Sequence, residues 1–332
     1  MSTDQPAIEQ AEAYLGEDCV AIRSAKTTRI IDRMQAALGD RFVVAADFAE
    51  FLLILADRVR GGTAVIALGD STTANYTGWP RSLSLIPRLR ERGTVVINLA
   101  DWGLTTADQP QRLAFALDWL GYHRVVGRTA IYLGGLLDWQ YRRRAYDHAA
   151  GAGIASAILA SEAALASRDD ARELRPLLVM ATPEGDRLDQ WIALRTVAVA
   201  HLLQRLCKKK DTRFVAALQP LCFADTAPAY AAALRANYDS EPPGKLDFAA
   251  WCRERGYYRD LADRYGEAAR AGLDVMAKAW PDTHSGPSGA WLNLADLFRD
   301  AQESGFLPSF DAVHFSQAGA GRIAAALAAA LD

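Results

Sequence analysis

Ser71, Asp311 and His314 are residue types from which nucleophilic acyl chemistry can be built. Ser71 follows an apolar β-type run, Val65-Ile66-Ala67-Leu68, that closes in Gly69-Asp70. A strand ending in a tight turn delivers the next side chain into the crevice at the carboxyl ends of an open α/β sheet, where ligands bind. A serine placed there is a candidate nucleophile if a base and its orienting acid come from elsewhere. Near the other end, Asp311-Ala312-Val313-His314 offers both. His314 can take the serine proton as Ser71 attacks an ester carbonyl and return it to the leaving alcohol. Asp311, three residues earlier, can hold one ring nitrogen and favour the imidazolium that forms. Gly-Asp-Ser alone also describes an ordinary turn. Its pairing with a late Asp-x-x-His before a terminal helix favours the hydrolase reading.

These residues need a scaffold that brings the two ends of the chain together. Apolar runs at 63–68, 95–99, 129–133 and 214–218, with a shorter one near Trp291-Leu292-Asn293-Leu294, alternate with helical stretches. That alternation predicts a parallel sheet with crossover helices. The expected fold is a three-layer α/β/α domain with a flavodoxin-like parallel sheet of about five strands. Helices are expected at about 82–92 and 108–120, and over the closing alanine-rich stretch, about 316–331. Helical insertions are expected at about 140–211 and 223–287. Residues 1–60 read as a helical N-terminal extension, from the spacing of Ile30, Ile31, Met34, Ala37 and Leu38 and of Phe48, Phe51, Leu52 and Leu55. The hydrolase domain then covers 61–332.

Composition narrows the function classes. With 332 residues, half of them hydrophobic, the chain can bury a large core. The net charge is −3, and Arg142-Arg143-Arg144 and Lys208-Lys209-Lys210 are the main basic runs, which read as solvated surface rather than a nucleic-acid face. Cys19, Cys207, Cys222 and Cys252 lack metal-like or paired spacing, so reduced thiols are expected and neither metal nor cofactor is called for. The polar, acidic start Met1-Ser2-Thr3-Asp4-Gln5 has no signal-like pattern, and no apolar run suits a bilayer span. The expectation is a cytoplasmic protein acting on a small-molecule acyl ester, with neither membrane nor nucleic-acid partner. Its oligomeric state is not legible.

The order and spacing of these residues resemble the SGNH (GDSL-type) hydrolase superfamily over about 63–331. Gly69-Asp70-Ser71 is similar to the family's nucleophile block, with Thr72 where leucine is frequent. Asn98-Leu99-Ala100-Asp101-Trp102-Gly103 resembles the second block, and Asp311 and His314 match the last. The resemblance implies a serine esterase working through an acyl-enzyme on Ser71. The third block departs from the pattern Gly-x-Asn-Asp. In Gly134-Gly135-Leu136-Leu137-Asp138 either glycine register places a leucine, Leu136 or Leu137, at the oxyanion-donating asparagine. Loss of one such donor costs about 2.7–4 kcal/mol of transition-state stabilisation. Backbone N–H groups of Ser71, Gly103 and Gly135 are the remaining oxyanion candidates. Trp102, Trp139 and Asp70 stand at strand ends and are candidate substrate contacts. An acyltransferase would use the same triad, and the leucine substitution also fits a catalytically weakened SGNH-like binding protein.

Overall fold

The computed structural model describes residues 62–74, 79–84, 86–100, 104–122, 124–139, 152–180, 187–220, 271–281, 283–286, 289–298, 315 and 317–332, together with 19–22, 42–45, 50, 53 and 183. β1 (Cys19–Ile22) and β2 (Phe42–Ala45) pair in parallel as a small sheet of their own. The first 60 residues are therefore not uniformly helical. Phe42-Val43-Val44-Ala45 is a short β-branched run of the kind that suits a pleated surface, and the helical spacing on either side concealed it. The run at 30–38 lies outside the described residues, and Glu50 and Leu53 of the later run are helical.

The main sheet contains β3 (Thr63–Gly69), β4 (Thr94–Asn98), β5 (Arg128–Gly134), β6 (Arg213–Leu218), β7 (Thr283–Gly286) and β8 (Gly289–Asn293). Its order is β4-β3-β5-β6-β8-β7. The first five in that order are mutually parallel, and β7 adds an antiparallel edge to β8. This is the expected flavodoxin-like arrangement, with an edge hairpin that the sequence reading did not include.

Alternate side chains of each strand feed two cores, as the strand period of two requires. Ala64, Ile66 and Leu68 face one core, with Ala130, Tyr132, Phe214, Ala216 and Leu218. The helices Gln109–Tyr122 and Arg187–Lys209 close it through Leu113, Leu117, Leu120, Ile192, Val199 and Leu203. Val65, Ala67, Ile131, Leu133, Val215 and Ala217 face the other core, covered by Leu83, Ile323, Ala324 and Leu327 of the helices Trp79–Ser84 and Gln317–Ala329. Three layers follow, and β3, β5 and β6 are buried on both faces, which is why their runs are largely apolar.

Two boundaries differ from expectation for stated reasons. The helix expected over 82–92 is two short helices, Trp79–Ser84 and Pro87–Glu91, with Ile86 extended between them. A proline disfavours helical geometry in the residue before it. The segment expected as an insertion at 140–211 ends in the helix Arg187–Lys209, which packs on the helix Gln109–Tyr122 and on β6. It is the crossover helix between β5 and β6. Within that segment, Glu162 and Arg195 form a buried ion pair, and Arg195 also donates to the Leu178 carbonyl at 2.6 Å and lies over the Trp191 ring. Burial pulls this guanidinium down to about 10, so it remains charged at neutral pH. Of the expected insertion at 223–287, residues 223–270 lie outside the described residues, while Leu273, Met276 and Trp280 complete the first core. Among the described residues no helix is long and apolar enough to cross a membrane.

Candidate active site

The turn after β3 is built by its own side chains. A Cβ on Gly69 would lie 2.3 Å from Thr73 Oγ1 and 2.7 Å from the Leu133 carbonyl, so only glycine lets the chain fold back this closely. Asp70 is buried, and its Oδ1 accepts from the Thr72 N–H at 2.8 Å and the Thr72 hydroxyl at 2.7 Å. Its carbonyl accepts from the Thr73 and Ala74 N–H groups. Asp70 is thus the cap of the short helix Ser71–Ala74. The expected substrate contact is a turn-building residue, because its carboxylate is spent on the helix start. Ser71 opens that helix and is 8% exposed.

Three further residues fix this turn. Trp79 donates its indole N–H to Thr73 Oγ1 at 3.0 Å, and Asn98 Nδ2 donates to the Thr73 carbonyl at 3.0 Å. Asn98 Oδ1 in turn accepts from the Ala100 N–H, so Asn98 ties the end of β4 to the turn. Gln109 Nε2 donates to the Gly69 carbonyl at 3.1 Å and to the Thr105 carbonyl at 3.3 Å.

β3 and β5 flank the switch point of the sheet, where the strand order reverses. Their register pairs Gly69 with Leu133, so Ser71 and Gly135 each lie two residues past the last pair of the ladder. Gly135 has φ +108°, and a Cβ there would meet Leu218 Cδ1 at 2.8 Å and Met276 Sδ at 2.9 Å. The positive φ is what calls for glycine here. The chain then turns helical at residues 136–139. Leu136 packs in the first core, whereas Leu137, 8% exposed, belongs to neither core. Leu137 is therefore the less deeply packed of the two leucines.

Trp139 does not border a crevice. It is buried in the first core and donates its indole N–H to Asp189 Oδ1 at 2.7 Å. The helical turn that carries it points it inward, a direction that a strand-end position alone does not fix. Asp138 is buried as well, and joins a polar chain absent from the sequence reading. Its carboxylate accepts from the Thr106 N–H at 3.1 Å and from the Thr106 hydroxyl at 2.5 Å. The Tyr132 hydroxyl contacts Thr106 Oγ1, and donates to it because the threonine proton is committed to Asp138. Nothing local pairs residues 32 positions apart. The neighbouring Thr105-x-x-Asp108, whose side chains bond at 2.9 Å, is by contrast a readable capping-box variant.

Burial, and secondarily the Asp138 carboxylate, push the Tyr132 phenol well above its ordinary 10. The native state then keeps this proton at pH values where the unfolded chain has released it. Native stability should therefore fall as pH rises above about 10, by about 1.4 kcal/mol per pH unit for this group. Urea titrations of the parent and Tyr132→Phe should show a stability difference that shrinks in favour of the variant above pH 10. A difference that stays constant from pH 8 to 11 would contradict a buried neutral phenol.

Asp311, His314, Trp102 and Gly103 lie outside the described residues. Phe315, the residue after His314, is buried in the second core against Phe298, at a ring separation of 6.1 Å. Val65 and Ala67 of β3 belong to that same core. No protein-family model matches the chain, and no curated protein matches it in sequence.

Proposed function

We propose that the chain is a serine hydrolase of carboxylic esters that works through an acyl-enzyme on Ser71. The observation that carries this reading is the position of Ser71: first residue of a capped turn, beyond the carboxyl end of β3, at the switch point of a parallel sheet. Ser71 Oγ attacks the ester carbonyl as His314 removes its proton, with Asp311 orienting the imidazole. The tetrahedral oxyanion draws on the backbone N–H groups of Ser71, Gly103 and Gly135. Collapse expels the alcohol, which takes the proton from His314, and water activated by the same histidine then releases the acid. The burial of Phe315 supports this, since it anchors the residue next to His314 on a core that β3 shares. A cytoplasmic setting belongs to the same proposal, and Cys207 is a free, buried thiol.

The test is labelling with a fluorophosphonate followed by peptide mass analysis. An adduct on Ser71, together with turnover in a panel of short and long acyl esters, is the expected result. Absence of the adduct in folded protein would overturn the reading.

The leucines of the third block favour a slower variant of this chemistry, or a binding protein derived from it. Leu136 and Leu137 now separate in their expected behaviour. Leu136→Asn puts an amide into the first core and should cost about 2–5 kcal/mol of stability. Leu137→Asn should fold and should raise turnover of an activated ester, by less than the ~10²–10³-fold that loss of a native donor costs. A parent that is already fast and a Leu137→Asn variant that changes nothing would show that the missing asparagine is no deficit.

A further inference from the structure

We infer that Gln219 is a substrate-binding residue, and that its carboxamide selects an ester carrying a hydroxyl group near the reacting carbonyl. This assignment rests on the acyl-enzyme reading above. The ladder between β5 and β6 pairs Gly134 with Leu218, and the Gln219 N–H still donates to the Gly134 carbonyl at 3.0 Å. Pro220 then brings no N–H to continue it. The two registers put Gly69, Leu133 and Ala217 at one level, so Gln219 follows β6 at the same end of the sheet at which Ser71 follows β3. At about 4.8 Å per strand, the end of β6 stands roughly 10 Å from the end of β3, with β5 between them.

Strand alternation decides the face. Phe214, Ala216 and Leu218 point to the first core, and Val215 and Ala217 to the second. Position 219 therefore falls on the second face, the one that holds Phe315 beside His314. The Gln219 side chain is almost fully buried, at 1% exposure, yet its Oε1 has no hydrogen-bond partner among the described residues. A buried amide oxygen without a donor is costly to leave unmatched. A hydroxyl of a bound ester would satisfy it, and the amide can also donate in return. An ester without that hydroxyl leaves the oxygen unmatched, so the site discriminates against it.

Two matched pairs test the assignment in the intact chain. p-Nitrophenyl 3-hydroxybutyrate against p-nitrophenyl butyrate places the hydroxyl on the acyl side. Glyceryl monobutyrate against propyl butyrate places it on the alcohol side. The parent should prefer the hydroxylated member of one pair by about tenfold or more in kcat/KM. Gln219→Met, apolar and of similar length, should erase that preference, read as the ratio of kcat/KM within each pair. Equal fluorophosphonate labelling of Ser71 in both proteins shows that the variant is folded. With Ser71 labelled, a parent without preference in either pair, or a preference that survives in Gln219→Met, overturns the role of Gln219 and leaves the hydrolase reading standing. No labelling in the parent overturns both.

Discussion

Ser71→Ala is expected to lower ester turnover by at least about 10⁴-fold and to abolish fluorophosphonate labelling, while the unfolding midpoint in urea moves little. The chemical loss follows from the reaction: without Oγ there is no acyl-enzyme, and only binding and oxyanion contacts remain to speed attack by water. The small structural effect follows from the turn. Its hydrogen bonds come from the Asp70 carboxylate and carbonyl to Thr72, Thr73 and Ala74, and from Trp79 and Asn98 to Thr73. These bonds hold the turn in Ser71→Ala as they do in the parent. His314→Ala should fall to a similar rate, and the double variant should be no slower than the worse single one, because nucleophile and base act as a unit. Steady-state turnover of one activated ester by all four proteins checks this. Retention of a tenth of the parent rate in Ser71→Ala would end the case for Ser71 as nucleophile. Multiplying losses in the double variant would show that Ser71 and His314 serve separate steps.

The strands were legible because burial on both faces leaves a plain mark. Val65 to Leu68 and Phe214 to Leu218 are apolar without interruption, and each is a strand of the parallel sheet. The Gly69-Asp70-Ser71 turn was legible for a related reason: glycine, acid and hydroxyl residues each answer a local geometric demand within a few positions. Where the reading went astray, distant partners decide. Trp139 points inward because Asp189, fifty residues later, receives its indole N–H. The helix Arg187–Lys209 is a crossover because it packs on a helix some seventy residues earlier in the chain. β1 and β2 pair across a gap that leaves no periodic trace. The polar chain from Tyr132 through Thr106 to Asp138 is the strongest instance, since each residue alone reads as ordinary.

Asp138→Ala is expected to destabilise the fold by about 3 kcal/mol. The carboxylate accepts both the N–H and the hydroxyl of Thr106, at 3.1 Å and 2.5 Å, in a place where neither is open to solvent. Alanine leaves both donors without their acceptor, and each such loss costs about 1–3 kcal/mol. The damage extends to β5, because Thr106 also receives the buried Tyr132 hydroxyl. It extends to the crevice as well: Asp138 sits in the helical turn at 136–139 that follows Gly135, and Thr106 precedes Gln109, whose amide holds the Gly69 carbonyl beneath Ser71. Turnover should therefore fall along with stability, through kcat more than KM, since the loosened groups position the nucleophile rather than the substrate. Asp138→Asn keeps one oxygen acceptor in the same shape and should cost about 1 kcal/mol. Thr106→Val removes the hydroxyl from the other side, and the Thr106→Val/Asp138→Ala cycle in urea should give a coupling energy of about 1–3 kcal/mol. A loss below about 0.5 kcal/mol in Asp138→Ala, or a coupling near zero, would mean that the three side chains are neighbours without forming a network.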